Sequence, residues 1–563
     1  MENLIKIKSP SCETKYFYQR FESGRCIKPD APKITTEESA AQFKSRKNGL
    51  KVLLINPPIR EWSYPNIIPI GQAYIASVAL MDGHKVEILD LNQDRLGPVE
   101  DMESFNKWVN SKIIKKLQKS KPDVIGIGGI ITQYSRIQQI LNLCHQRLPQ
   151  ATRILGGGIA SCLPEFMMKM LSVDIIATEE CEITFSEILH KIELGQDMKG
   201  VAGVWFNTED GEIISNGKRP TVSGGEEGLD HLPWPARFLY DIENVYKKNP
   251  IGHLNWVSKW EGGKPQEEGK YCLSMLGSRG CPYSCDYCYV TYLGKAYRIR
   301  SPKAIVDEME YLTNKYKLSY IHFLDDLFLT NWKWAFMFFQ ELQNRKEKTG
   351  FEIEWGSTCR TNIIADDVVR AKKENRKHMI EAAFDVGMRQ VGVGIESASP
   401  TILKNIDKSG QTPEKIRIAS KETKRIMGYM DPSFMIGSPG ETEETIKETV
   451  DFCKKYDIDV ETIFYTTAFP GTPFWKLALD KGLIGKAVTG EKCDADDYIL
   501  ECYFKKLGEN SEAVRTNFSD ELSDERLIEL GVWATDELGS KNRRHPHTGE
   551  RQMKPAGAAK ADL

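Results

Sequence analysis

The sequence predicts an α/β chain with two parallel sheets in series, followed by a small C-terminal domain. Three observations carry that prediction. Strand-like and helix-like stretches alternate from residue 49 onward, as in βα units. The first apolar run, Val52 to Ile55, is continuous, as in a strand buried on both faces. In the second half Asp325, Asp326, Arg360 and Glu396 follow on the ends of strand-like runs, where parallel barrels keep their chemistry.

Composition sets outer limits. At about 150 residues per domain, 563 residues allow three or four domains. The balance of 76 Lys plus Arg against 79 Asp plus Glu, net −3, argues against general nucleic-acid binding. No apolar run reaches the roughly 18–20 residues of a membrane span. The start of the chain lacks the apolar core and cleavage site of a secretory signal. No membrane span and a cytoplasmic location are therefore expected.

In the first half, Ile70, Ala73, Tyr74, Ser77, Val78 and Met81 recur at helical spacing and Gly83 ends the helix. Further strands are expected over 86–89, 124–127, 154–155 and 175–177, with helices over 134–147 and 164–170. This makes a five-stranded doubly wound sheet whose ligand lies beyond the C-terminal ends of its first and third strands. Gly156, Gly157 and Gly158 follow the fourth strand. They suit close approach of a ligand to backbone, or an ordinary tight turn.

Thirteen cysteines are an odd number in a long chain without an export signal, which argues against a disulfide framework. Ten are scattered and read as small hydrophobes. Cys281, Cys285 and Cys288 instead form C-x3-C-x2-C, a triplet that such a composition yields by chance about 0.007 times. Structural zinc wants four closed ligands, commonly two cysteine pairs, and no second pair exists. A disulfide leaves one thiol over. A four-iron four-sulfur cluster on three cysteines leaves one iron open to a substrate.

Around that loop a strand over 273–276 is followed by a helix over 301–316, with Ser301 as N-cap, Pro302 at N1 and Ile305, Met309 and Leu312 on one face. Strands then fall over 320–324, 352–358, 390–395, 433–436 and 462–466, with a helix over 332–345. Six such repeats close a partial (β/α)6 barrel. Trp355, Tyr465 and Phe469 are candidate lining residues of an apolar pocket, whereas Trp332 and Trp334 read as helix core.

The cysteine motif, with Tyr287 inside it and Tyr289 after it, resembles the cluster loop of the radical SAM superfamily. That resemblance implies a [4Fe-4S] cluster whose open iron chelates S-adenosylmethionine. One electron from a flavodoxin- or ferredoxin-type donor then cleaves it to methionine and a 5′-deoxyadenosyl radical. It places the SAM contacts at Tyr287, at Asp325 and Asp326 near the amino group, and at Arg360 and Glu396 near the carboxylate and ribose. Phe434 to Glu441 resembles the family's Gly-x-Ile-x-Gly-x-Pro-Gly-Glu segment and brings in Gly437, with Ser433 near the place of its first Gly. Phe464 and Tyr465 would border adenine.

The first domain, joined to such a barrel, resembles the Rossmann-like cobalamin-binding domain of a large subfamily, the likeness covering residues 49–485. It implies corrinoid contacts at Arg60, Trp62 and Tyr64, at Thr132 and Gln133, and at Gly156, Gly157 and Gly158. Two departures stand out. The family's usual Gly-Glu-Gly-Glu segment is Glu179-Glu-Cys-Glu182 here. The Asp-x-His-x-x-Gly signature is missing, since Asp82-Gly-His84 continues Lys-Val. A corrinoid without a histidine ligand is expected.

The expected layout is an extension (1–48), the cobalamin-binding domain (49–225), a linker (226–270) that also draws on residues near 203–219, the radical SAM core (271–485), a C-terminal lid (486–540) and a disordered tail (541–563). The implied activity is methyl transfer from methylcobalamin to an unactivated carbon or similar centre. The alternatives are a non-methylating rearrangement or oxidative cyclisation, or a non-catalytic zinc- or nucleotide-binding protein. Peptide, lipid and small natural product all remain open as substrate.

Overall fold

The computed structural model describes residues 33–41, 49–58, 67–93, 101–222, 229–247, 271–289, 297–428, 430–458, 460, 462–509 and 514–538. Arg60, Trp62, Tyr64, the tail from 541 and most of the 1–48 extension lie outside the described residues.

Apolar continuity produces the first sheet. Its parallel strands β1 (Lys51–Asn56), β2 (Lys85–Asp90), β3 (Val124–Gly128), β4 (Thr152–Gly156) and β5 (Ile175–Ala177) stand in the order 2-1-3-4-5. Alternate side chains fill two separate cores. Leu53, Ile55, Ile125, Ile127 and Leu155 pack on one face, and Val52, Leu54, Val124, Ile154 and Ile175 on the other. The helix Ile70–Met81 forms where the spacing predicts, and Gly83 at φ 90° turns the chain back into β2.

The sheet is larger than the expected five strands. Antiparallel β6 (Val204–Asn207) and β7 (Ile213–Ser215) extend it to seven, so residues 203–215 belong to the sheet and not to a linker. These strands are short, and only Val204 and Phe206 alternate into the core, so the pattern is faint. Three α-helices of this domain also escape the sequence reading, the shortest being Gly157–Cys162. Met102–Ser120 is capped by Asp101 and buries Phe105, Val109, Ile113 and Leu117 at four-residue spacing. Glu182–Glu193 follows β5.

The second sheet is a half-barrel of six parallel strands. In spatial order these are β8 (Cys272–Met275), β11 (Tyr320–Phe323), β12 (Glu354–Cys359), β13 (Met388–Glu396), β14 (Asp431–Ile436) and β15 (Thr462–Tyr465). The helix Pro302–Tyr316 starts as expected, with the Ser301 hydroxyl accepting from Ala304 N. Outward residues make the apolar core: Leu273, Ile321, Phe323, Trp355, Val391, Val393 and Phe434. Trp355 is fully buried there, with its indole N–H donating to Val386 O, so it lines no pocket.

Inward positions are polar or lack a side chain. Ser274, His322, Gly356 and Gln390 align across four strands. Tyr320 donates to Gln390, which donates to Asp431. A two-stranded ribbon, β9 (Ser278–Arg279) with β10 (Arg298–Ile299), brackets the cysteine loop at its base.

The C-terminal segment divides its contacts between the two halves. Phe504, on the helix Asp497–Glu509, packs on Tyr134 and Phe166 of the first domain at ring separations of 5.8 and 5.4 Å. Leu527, Leu530 and Ala534 of the helix Asp524–Glu537 cluster with Ile436, Ile446 and Val450 of the half-barrel.

Candidate active site

The cysteine loop leaves the half-barrel at the C-terminal end of β8, and its neighbours hold it from three strand ends. All three cysteines are free; Cys285 is buried, and Cys281 and Cys288 are partly exposed. Burial pushes the Cys281 thiol above its ordinary range, and the nearby Cys285 adds to the rise while Arg360 opposes it. Among the described residues no three His, Cys, Asp or Glu side chains gather into a single-ion site. A four-iron cluster spreads its three thiolates over three different irons, so it needs no such convergence.

Arg360, at the end of β12, donates from Nη1 to Cys285 Sγ at 3.3 Å, from Nε to Asn362 and from Nη2 to Ser409 O. Its guanidinium lies 3.7 Å from the Tyr283 ring centroid. The residue is fully engaged in the loop's support.

The two acids after β11 differ sharply. Asp325 is buried and accepts from Gly277 N at 3.0 Å and from the Ser278 hydroxyl. Burial raises its carboxyl to about 7, against those hydrogen bonds. Asp326 is exposed, and burial around its carboxyl raises its pKa against a hydrogen bond from Gly280 N–H. Asp325 therefore braces the loop, and Asp326 is the acid available to a ligand.

Glu396 ends β13 at a register irregularity, with φ 65°, a conformation costly for a residue with a Cβ. Its carboxylate accepts from Tyr287 OH at 3.0 Å and from Lys408 Nζ at 2.9 Å, while Lys408 also donates to Tyr287 at 2.5 Å. A Cβ on Gly394 would stand 2.3 Å from Glu396 Oε1 and 2.9 Å from Lys408 Nζ, so this glycine makes room for the pair. Sequence reasoning missed Lys408, whose only signal is its place twelve residues after Glu396.

Gly437 takes φ 92° after β14, beside the Thr466 hydroxyl. Strand alternation separates the two adenine candidates. Phe464 is 54 % exposed, whereas Tyr465 turns to the Asp524–Glu537 helix, donating to Ile528 O and crowding Gly531.

At the first sheet's switch point, Ile130 is 48 % exposed just past β3. Gln133 is buried, with its carboxamide nitrogen donating to Pro58 O at 3.0 Å and its oxygen accepting from Ile130 N, so it joins the loops after β1 and β3. The Thr132 carbonyl lies under Gly508 of the C-terminal helix. Gly157, at φ 80°, stacks on Gly129, and a Cβ on Gly158 would lie 2.4 Å from Tyr289 OH. His84 accepts from Leu50 N at the opposite end of the sheet, remote from this crevice.

The parallel half-barrel thus carries three free thiols past the end of its first strand, beside a doubly wound sheet with glycines at its strand ends. The comparisons agree. The Radical SAM superfamily model matches residues 275–453, and the B12 binding domain model matches residues 62–189. An uncharacterized methyltransferase of Pyrococcus horikoshii is 29% identical over 442 residues, covering 77% of this chain and 84% of that one. Cytidylyl-2-hydroxyethylphosphonate methyltransferase of Streptomyces wedmorensis is 24% identical over 466 residues, covering 77% and 82%. The solved structure of TsrM from Kitasatospora setae, with cobalamin and a [4Fe-4S] cluster bound, shares the fold at TM-score 0.60 and 19% identity, over 87% of this chain and 88% of that one.

The chain belongs to the cobalamin-binding radical SAM family. It is a cobalamin-dependent radical SAM enzyme whose cofactors are a [4Fe-4S] cluster, S-adenosylmethionine and cobalamin. The residues present fit these groups. Three free thiols share one loop, the exposed Asp326 and Phe464 stand at the strand ends beside it, and Ile130 presents an exposed apolar side chain just past β3. Among the described residues no helix is long and apolar enough to cross a membrane.

Proposed function

We propose that the protein is a radical SAM methyltransferase that moves a methyl group to an unactivated carbon or similar centre of its substrate. One observation carries this reading: the residue after the last cysteine, Tyr289, rests directly on the glycine floor of the cobalamin domain at Gly158. The contact supports a reading in which the radical-forming and corrinoid sites lie close together. The methyltransferase names of both relatives support the same conclusion.

When bound, the cluster and S-adenosylmethionine supply a 5′-deoxyadenosyl radical, and the corrinoid supplies the methyl group. Cys281, Cys285 and Cys288 hold the cluster, and Arg360 places a fixed positive charge beside Cys285. The exposed Asp326 receives the ammonium of S-adenosylmethionine. Glu396, aimed by Lys408 and Tyr287, takes its ribose, and Phe464 borders its adenine. Ile130, Gly157, Gly158 and Gln133 would shape the corrin floor, and His84 lies at the opposite end of the sheet, held by Leu50 N–H. A flavodoxin- or ferredoxin-type protein supplies electrons.

The test is product analysis of anaerobically reconstituted holoenzyme with S-adenosylmethionine and a low-potential reductant. S-adenosylhomocysteine should accumulate alongside 5′-deoxyadenosine. Formation of 5′-deoxyadenosine with no S-adenosylhomocysteine would overturn methyl transfer and favour a rearrangement or cyclisation.

A further inference from the structure

Between the cysteine loop and the cobalamin domain lies a buried set of charges. Arg279 and Arg298 are directly opposed on β9 and β10, the two strands that bracket residues 280–297. Like charges at such a position repel, so the ribbon needs an acid from elsewhere. Glu180, from the loop after β5, accepts from Arg298 through both oxygens at 2.6 and 2.8 Å, and lies 3.5 Å from Arg279. Glu182 accepts from Arg279 at 2.5 Å. The Arg279 guanidinium also lies 5.0 Å from the Tyr74 ring centroid, on the first domain's helix.

Glu180 and Glu182 stand where the Gly-Glu-Gly-Glu pattern carries its acids, and Glu179 and Cys181 replace its two glycines. Glu179 stands at φ 64°, the backbone conformation a glycine would take without strain. Burying ion pairs adds little to stability because desolvation offsets the attraction. What a bidentate, fully satisfied pair does supply is a fixed geometry.

We propose that Glu180, Glu182, Arg279 and Arg298, together with the Tyr289–Gly158 contact, form a clamp that sets the distance from cluster to corrinoid and so couples the two half-reactions. These are positioning residues, since none is assigned here to hold S-adenosylmethionine or substrate. The inference rests on the reading that both cofactors serve one reaction. Its primary test needs no turnover and so stands apart from that reading.

The experiment is pulsed dipolar electron paramagnetic resonance between cobalt(II) cobalamin and the reduced cluster in the full-length, doubly loaded protein. The unaltered chain should give one narrow distance. Glu182→Gln and Arg298→Gln, which each remove one charge from the clamp, should each broaden it. The exchanged pair Glu182→Arg with Arg279→Glu should narrow it again, which a general loss of folding would not do. In the same samples 5′-deoxyadenosine formation should persist while methyl transfer falls about a hundredfold, as a misplacement near 1 Å commands. Unaltered distance distributions in both single variants would overturn the clamp, as would proportional loss of both products.

Discussion

The two sheets use the same parallel βα grammar and reach opposite solutions. In the first sheet β1, β3 and β4 are apolar on both faces and sealed between two cores, so a ligand can lie only beyond the strand ends. In the half-barrel the outer face is equally apolar. The inner face instead carries Ser274, His322, Gln390, Asp431 and the bare positions Gly356, Gly392 and Gly394. A closed sheet presents an edge to its cofactor, and an open one presents an interior. The B12 binding domain model falls on the first and the Radical SAM model on the second.

The sharpest way to break that comparison is at the loop. Cys285→Ser should abolish the iron–sulfur absorbance after anaerobic reconstitution and all 5′-deoxyadenosine formation, with cobalamin binding retained. A variant that lost cobalamin too would show that the halves are not separate sites. Next in size, Gly394→Ala forces a methyl against Glu396 and Lys408. Affinity for S-adenosylmethionine, followed by isothermal titration, should fall by about tenfold or more, an overpacking cost of roughly 1–3 kcal/mol.

The matching change in the first sheet should act differently. A Cβ on Gly126 would stand 2.6 Å from the Leu54 side chain, deep in the core. Gly126→Ala should lower stability by about 1–3 kcal/mol in denaturant titrations, with cobalamin affinity little altered in the protein that remains folded. Loss of affinity at constant stability would reverse the contrast.

Burial raises Glu441 to about 7, above its ordinary value of 4.5, so the folded state holds the proton more tightly than the unfolded state. Stability from this group is full below the ordinary value and declines as pH rises toward 7, by up to about 1.4 kcal/mol per pH unit. Melting temperatures from pH 4.5 to 7.5 should show that decline, and Glu441→Gln should flatten it. A slope unchanged by the substitution would remove Glu441 from the account. The smallest effect is expected at Glu179→Gly, where relief of the φ 64° conformation should stabilise by roughly 1 kcal/mol at most, read by thermal melting.

What was legible in the sequence follows the same division. The strands of both sheets, the Ser301 cap and the cysteine loop were written in local patterns, because burial on both faces and capping are short-range signals. The strand pair β6 and β7 was hidden by brevity. Lys408 and Asn362 reach the loop only through tertiary folding, Lys408 at Tyr287 and Asn362 at Tyr283, and no local pattern marks them. Arg360 and Asp325 were expected as S-adenosylmethionine contacts, and their hydrogen bonds go to Cys285 and to Gly277 and Ser278. That distinction depends on which way a side chain turns at a strand end.

The helix Asp497–Glu509 has a consequence for how the protein is made. Its Phe504 covers Tyr134 and Phe166, residues of a domain synthesised more than three hundred residues earlier. Until that helix leaves the ribosome, the first domain carries an uncovered aromatic patch. Synthesis must therefore continue past residue 509 before the first domain can close. A fragment ending at residue 225 inherits the same exposed surface, and its solubility measures how much the late helix contributes.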